Sequence, residues 1–283
     1  MNKRFFSRKK VVLFLIAVSL VLVVAWWTSI DPSNNREWSP DQAVLPYAEI
    51  EENLVNIRNI RNFSYTTPTD YEKSYYDKTF DLNKIKGVHY IVEPFSGYKG
   101  AAHTFLSFEF EGDDFVAISV EIRKEKGESF SALKGLFKQY EITYVIGDER
   151  DLVKLRSNHR KDLVYVYPIK TTKEKARTVF LDMITRVNKL KDSPEFYNTF
   201  LNNCTTNIVK HVNNVTPERV PWSIEFIMPE NSDKVAYELG LLDTELPFEE
   251  AREKFLINKR AQKYADDPNF SVKIRETEQG IEQ

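Results

Sequence analysis

The stretch AHTFLSFEFEGDDFVAISVEIR, residues 102–123, contains two runs of alternating residues around a short turn. The even-numbered positions of both runs are largely apolar: Leu106, Phe108, Phe110, Val116, Ile118, Val120 and Ile122. Because successive side chains of a strand point to opposite faces, this alternation predicts a β-hairpin with one face in the core. A loop centred on Gly112 keeps both apolar sets on that face and places His103 opposite Glu121.

The odd-numbered positions share the opposite face of this hairpin and include His103, Phe105, Ser107, Ser119, Glu121 and Arg123. A carboxylate beside an imidazole fixes the imidazole tautomer and raises its pKa. We therefore predict that His103 is a general base and that Glu121 orients it. The alternative is a polar pair on a solvated sheet face. Arg123 lies two residues beyond Glu121 on the same face, where it either binds a substrate carboxylate or pairs with Glu121.

Cys204, the single cysteine of the chain, lies in the polar stretch NNCTTN, residues 202–207, ahead of a helical pattern. A thiol in the first turn of a helix is close to the positive end of the macrodipole and to unpaired backbone N–H groups, and both favour the thiolate. Asn203 and Thr205 are the expected helix caps. We predict that Cys204 is a nucleophile and that its backbone N–H, helped by Asn202 or Asn203, holds the oxyanion. The alternative is a buried cysteine that acts as a small apolar side chain.

The N-terminus predicts a membrane anchor. Five basic residues in 1–10 precede an uncharged run, 11–27, of about the ~17–25 residues that cross a bilayer as a helix. The positive-inside rule leaves 1–10 in the cytoplasm and places the rest outside. Signal peptides are cut after small residues, whereas the run ends in a tryptophan pair that suits the membrane interface. We expect an uncleaved, single-pass anchor in the inner membrane and a periplasmic domain; a cleaved signal peptide is the alternative.

Charge and histidine spacing narrow the possible partners. The formal net charge is −2, and without the five basic residues of the tail it becomes −7. Such an acidic exported part argues against nucleic acid as a partner. His89, His159 and His211 have no metal-ligand spacing with one another or with Cys204, so no metal site is predicted. The chain has no glycine-rich phosphate loop or dinucleotide fingerprint, and we expect no cofactor.

The remaining patterns divide the chain into a linker at 28–49, an exported domain at 50–265 and a polar tail at 266–283 that is expected to fray. Helical spacing is present at 51–61, 130–140 and 173–190, and strand patterns at 88–93, 142–146 and 163–169. Strands and helices in mixed order predict an α+β fold, with an antiparallel sheet packed against helices.

A histidine in one strand, a polar partner in the next strand and Asn-Cys at a helix start occur here in that order. This order resembles the circularly permuted papain-like thiol hydrolases and acyltransferases. The chain also contains a longer series of motifs, in this order along the sequence: RNIRNF at 58–63, AHTFLSF at 102–108, SVEIR at 119–123, YE at 140–141, DERD at 148–151, FYNT at 196–199, NNCTT at 202–206 and LGL at 239–241. In these motifs the chain closely resembles the bacterial Lnb N-terminal periplasmic domain family. The resemblance implies a permuted papain-like fold, an envelope location and a thiol site at His103, Glu121 and Cys204.

These patterns together predict a membrane-anchored, exported cysteine hydrolase or acyltransferase. Its substrate would be an amide or ester of the cell envelope, and its reactive groups would be Cys204, His103 and Glu121. The alternative is a noncatalytic envelope domain that keeps the fold as a binding or scaffolding module. Only the enzyme requires a reactive thiol close to His103.

Overall fold

The computed structural model describes residues 8–217 and 219–276. Its strands are β1 (Tyr47–Glu51), β2 (Leu54–Arg61), β3 (Ser64–Tyr65), β4 (Tyr71–Glu72), β5 (Tyr75–Asp81), β6 (Ile85–Pro94), β7 (Ala102–Phe110), β8 (Asp114–Arg123), β9 (Glu141–Gly147) and β10 (Tyr165–Pro168). Its α-helices are α1 (Arg8–Thr28), α2 (Glu149–Lys154), α3 (Lys173–Asp192), α4 (Cys204–Val215), α5 (Ser232–Glu238), α6 (Phe248–Phe255), α7 (Asn258–Lys263) and α8 (Phe270–Lys273). A π-helical turn, Leu155–Arg160, follows α2 directly.

One large sheet organises the domain. Its strand order is β1-β2-β9-β8-β7-β6-β10, and β5 also pairs with β2. The pairing of β2 with β9 is parallel, whereas the other pairings of this sheet are antiparallel. Helices pack against this sheet, so the predicted α+β fold is confirmed. α1 has 21 residues, is not buried against the domain and is long and apolar enough to cross a membrane.

The central hairpin has the predicted register. Leu106 pairs with Ile118 and Phe108 with Val116, as a loop centred on Gly112 requires. The even-numbered side chains join the larger core cluster beneath α3 and α4. The odd-numbered face is also covered, because α2, α7 and α8 pack on it in a second apolar cluster. The polar residues of that face therefore do not lie on a solvated surface.

The predicted helix at 51–61 is wrong, since β1, a turn and β2 occupy this segment. Val55 and Ile57 point into the core with the two-residue period of a strand. A β-bulge then shifts the register between Ile57 and Ile60, with Asn59 at φ 62°. The bulge adds one residue to the apolar spacing, and this produced the apparent helical period.

The predicted helix at 130–140 is also wrong, because only Lys134–Leu136 forms a 3-10 turn there. An amphipathic helix is stable when its apolar side packs against a core. Phe130, Leu133 and Phe137, which give this segment its helical spacing, are instead exposed. The long helix predicted at 173–190 is confirmed by α3, and the strands at 88–93, 142–146 and 163–169 correspond to β6, β9 and β10.

The folded region extends past both ends of the exported domain predicted at 50–265. In the expected linker, Trp38 is buried and Arg123 lies over its ring at 4.2 Å. In the expected tail, Phe270 and Ile274 are fully buried, and Arg275 binds the buried Glu149 through two nitrogens at 2.6 and 2.8 Å. The expectation of fraying is therefore wrong for 267–276, and the last seven residues lie outside the described part.

Candidate active site

Cys204 is the first residue of α4, as predicted. Asn203 caps the helix: its Oδ1 accepts a hydrogen bond from the Thr206 backbone N–H at 2.8 Å, and the Thr206 hydroxyl accepts one from the Asn203 N–H at 2.8 Å. This reciprocal capping box fixes the start of α4 and the direction of the first-turn N–H groups. The thiol is buried, 8% exposed, and it forms part of the wall of a cleft.

Asn203 does not have the expected oxyanion geometry. Its Nδ2 donates to the backbone carbonyls of Thr199 and Phe226, both at 2.8 Å, which uses both amide hydrogens. Asn202 donates to the Phe196 carbonyl at 2.8 Å and accepts from Asn207 at 3.0 Å. Both side chains thus hold the turn before α4. The Cys204 backbone N–H, which has no intrahelical acceptor at this position, is the better placed donor for an oxyanion.

His103 lies on β7 beside Ser119 and Glu121 of β8. Its Nε2 is 2.6 Å from the Ser119 Oγ and 3.3 Å from the Glu121 Oε1. The Ser119 hydroxyl donates to the same carboxylate oxygen at 2.7 Å, so Nε2–H is the donor to Ser119. His103 and Cys204 line the same cleft, and each is close enough to change the pKa of the other. The structure thus brings Cys204, His103 and Glu121 together, with Ser119 as an additional bridge.

The proximity of His103 and Cys204 changes the pKa of both groups. Burial raises the pKa of the Cys204 thiol, but His103 and hydrogen bonds from the Thr104 backbone and Thr205 outweigh it and lower that pKa to about 7. Burial likewise opposes the charge on His103, yet the Glu121 carboxylate and the thiol raise the pKa of His103 to about 9. Between these values a thiolate–imidazolium pair is the favoured state.

Arg156, which sequence reasoning missed, holds the Glu121 carboxylate in place. It lies in the π-helical turn and donates to the Glu121 Oε1 at 2.8 Å and to the Glu93 Oε2 at 2.7 Å. Burial alone raises the pKa of Glu121, but His103, Arg156 and Ser119 keep it well below its usual range. Glu121 is therefore a carboxylate at neutral pH. No motif signals Arg156, because it is 35 residues from Glu121 and 63 from Glu93 in the chain.

Arg123 has neither of its two expected roles. It donates to the backbone carbonyls of Gln42 and Ala43, each at 3.0 Å, and to the Asn34 Oδ1 at 2.7 Å. Only 2% of it is exposed. Arg123 therefore holds the segment after α1 against the domain. Because these hydrogen bonds occupy its guanidinium, Arg123 binds neither Glu121 nor a substrate.

Cys204 and His103 line a cleft with a volume of about 320 Å³. Its other walls include Phe95, Phe130 and Tyr197. No group of three or more His, Cys, Asp or Glu residues in 8–217 and 219–276 is arranged to hold a metal ion. The arrangement suits thiol chemistry on a carbonyl group that enters this cleft.

Two other buried histidines also have carboxylate partners. His211 contacts Asp182 at 2.6 Å and the Tyr144 hydroxyl at 2.7 Å, two turns along α4 from the thiol. His89 contacts Glu109 at 3.1 Å. A histidine–carboxylate pair alone therefore does not identify the site, and the cleft that it shares with Cys204 distinguishes His103.

The model of the Lnb N-terminal periplasmic domain family matches residues 71–229, more than half of the chain. The chain belongs to this family. The Lnb-type match includes His103, Glu121 and Cys204, together with β6 to β9, α3 and α4. No curated protein and no solved structure matches the chain. The periplasmic family and the apolar α1 indicate an exported, envelope-associated protein, and they fit a single-pass inner-membrane protein whose Lnb-type domain is periplasmic.

Proposed function

We propose that the protein is a thiol-dependent hydrolase or acyltransferase that acts on an amide or ester of the cell envelope from the periplasmic side of the inner membrane. The observation that supports it best is that Cys204, at the start of α4, lines one cleft with His103, whose Nε2 faces Ser119 and Glu121. The same order of groups in the permuted papain-like thiol hydrolases and acyltransferases agrees with this proposal.

In the first half-reaction the Cys204 thiolate attacks the carbonyl carbon of the substrate and forms a carbon–sulfur bond. The oxyanion that develops lies near the Cys204 backbone N–H at the start of α4. As the intermediate collapses, the carbon–nitrogen or carbon–oxygen bond breaks and the His103 imidazolium gives its proton to the departing amine or alcohol. The products are a thioester on Cys204 and a neutral imidazole.

In the second half-reaction water or an amine attacks the thioester. Neutral His103 accepts the proton of the attacking group, and the carbon–sulfur bond breaks to release the thiolate. Water gives a hydrolase, and an amine of a second substrate gives an acyltransferase. Glu121 stabilises the imidazolium at the start and end of the cycle, because its negative charge lies 3.3 Å from Nε2 and attracts the ring only when the ring is charged.

The test uses the full-length protein in detergent with p-nitrophenyl acetate, a reactive ester that needs no specific pocket. We expect nitrophenol release beyond one equivalent and a protein mass increased by one acetyl group. Hydroxylamine should remove that group, because it cleaves thioesters. Cys204→Ala and His103→Ala should abolish turnover, whereas His89→Ala, which removes a buried histidine away from the thiol, should retain it.

Two outcomes count against the proposal. Turnover that Cys204→Ala leaves intact places the nucleophile elsewhere. A stable acetyl-thioester without turnover, unchanged in His103→Ala, shows a modifiable thiol and no acid–base partner. The first result indicates an enzyme with another nucleophile, and the second favours the noncatalytic binding domain.

A further inference from the structure

Three loops next to the Cys204 cleft expose large apolar side chains. They are residues 130–137, 199–201 and 222–228, here called the apolar rim. Each loop has a side chain that is mostly in solvent: Leu133 is 67% exposed, and Leu201 and Trp222 are each 73% exposed. A contiguous apolar surface of this kind marks a contact with a partner or a membrane.

Hydrogen bonds to Thr199 and Asn203 hold the three loops together. The Thr199 hydroxyl donates to the Ala132 carbonyl at 2.7 Å. The Asn203 amide donates to the carbonyls of Thr199 and Phe226, each at 2.8 Å. The rim is therefore one surface, fixed to the residue that precedes Cys204. Phe130 of the rim also lines the cleft that contains Cys204 and His103.

The rim begins where α1 ends. The rings of Trp27 and Phe137 meet edge to face with centroids 6.0 Å apart. The Lys138 ammonium donates to the carbonyls of Trp27 and Ile30 at 2.9 and 3.1 Å. At about 1.5 Å per residue, the 21 residues of α1 span roughly the 30 Å of a bilayer core, which leaves Trp27 at the interface.

We propose that the apolar rim inserts into the surface of the same bilayer that α1 crosses, so that the mouth of the Cys204 cleft lies at the lipid interface. The partner is the bilayer because the rim is continuous with α1 and cannot lie far from the membrane. Lys134 and Lys210 lie on or next to the rim, and Lys210 donates to the Leu201 carbonyl at 2.9 Å. Basic side chains beside apolar ones suit anionic headgroups. This orientation goes beyond the proposed reaction and does not require a reactive thiol.

The test uses the full chain with Cys204→Ala, in nanodiscs of phosphatidylethanolamine and phosphatidylglycerol. A single cysteine is introduced as Leu133→Cys or Leu201→Cys and labelled with a nitrobenzoxadiazole dye. Matched controls are Ile50→Cys and Leu54→Cys, because both side chains are exposed and lie at the end of the β1–β2 hairpin remote from Arg61, which lines the cleft. All four sites are on the surface, so labelling should not prevent folding.

We expect a blue-shifted emission from the two rim labels and a loss of their fluorescence when doxyl-labelled lipid is included, with neither change at the control labels. Rim labels that remain as water-exposed as the controls overturn the proposal. So do rim labels that are blue-shifted but insensitive to the doxyl lipid, since a second copy or another protein then covers the rim.

Discussion

Replacing His103 by alanine should change the pH dependence of Cys204 alkylation in two opposite ways. In the wild type, His103 lowers the thiol pKa to about 7, against the effect of burial. Without the imidazolium, burial remains, and we expect a thiol pKa at or above the ~8.5 of a free cysteine. The thiolate is then scarcer at neutral pH but intrinsically more reactive.

The two effects have different sizes. At pH 7 the thiolate fraction falls from about one half to about 3%, a decrease of roughly 16-fold. Thiolate nucleophilicity increases with pKa, with a Brønsted coefficient of about 0.4–0.5, so a rise of about 1.5 units makes each thiolate roughly 5-fold more reactive. The rate at pH 7 should therefore fall only about 3-fold, whereas the plateau at high pH should rise about 5-fold.

The assay is the rate of iodoacetamide labelling between pH 5.5 and 10, followed by intact mass. The wild-type midpoint is expected at about 7. His103→Ala should move the midpoint upward, so that the two curves cross. His89→Ala is the matched control, because His89 is a buried histidine with a carboxylate partner away from the thiol. A wild-type midpoint near 8.5 that His103→Ala does not move would falsify the thiolate–imidazolium pair.

Three further predictions concern the charges around the site. Glu121→Gln removes a carboxylate that raises the pKa of His103, so the value of about 9 should fall, as NMR titration of the ring can measure, while the Cys204 thiol continues to raise it. Arg156→Met leaves two facing carboxylates without their guanidinium, and urea unfolding should show a loss of about 3–5 kcal/mol that Arg156→Lys recovers only in part. Arg275→Met leaves the Glu149 carboxylate buried and unpaired, which should also cost about 3–5 kcal/mol near neutral pH. Without Arg275, burial raises the pKa of Glu149, whereas the wild-type pKa is lowered, so this last difference should shrink as the pH falls from the variant's pKa to the wild-type pKa, when both proteins are compared by urea unfolding at each pH.

The local parts of the fold could be predicted from the sequence. The β7–β8 register depends on a short loop and on two alternating runs, and both are visible in the chain. The same register brings His103 to Glu121. The start of α4 at Cys204 was predictable because a polar cap precedes it. In each case the responsible residues are neighbours in the sequence.

The parts that depend on distant residues could not be predicted. The C-terminal segment is largely polar in sequence, but Phe270 begins α8, Ile274 directly follows it, and both side chains fill the second core. Arg275 then pairs with Glu149, 126 residues earlier in the chain. Burial of the odd-numbered hairpin face follows from this packing and from α2. A single alternating strand pattern cannot show whether its polar face is covered.

Burial of that face determines how strongly the charges of the site depend on one another. Ion pairs join His103 to Glu121, Glu121 to Arg156 and Arg156 to Glu93, and Cys204 lines the same cleft as His103. In the proposed thiolate–imidazolium state these five groups alternate in sign. On a solvated surface such neighbours interact weakly, and removing one changes little. In this buried position each charge offsets the desolvation cost of its neighbour. Replacing Arg156 should therefore also change the pKa of the Cys204 thiol, through its effect on Glu121 and His103. We therefore expect the reactivity of Cys204 to depend on alternating charges from four parts of the fold: β6, the π-helical turn, the hairpin and α4. No single sequence motif contains all of these residues.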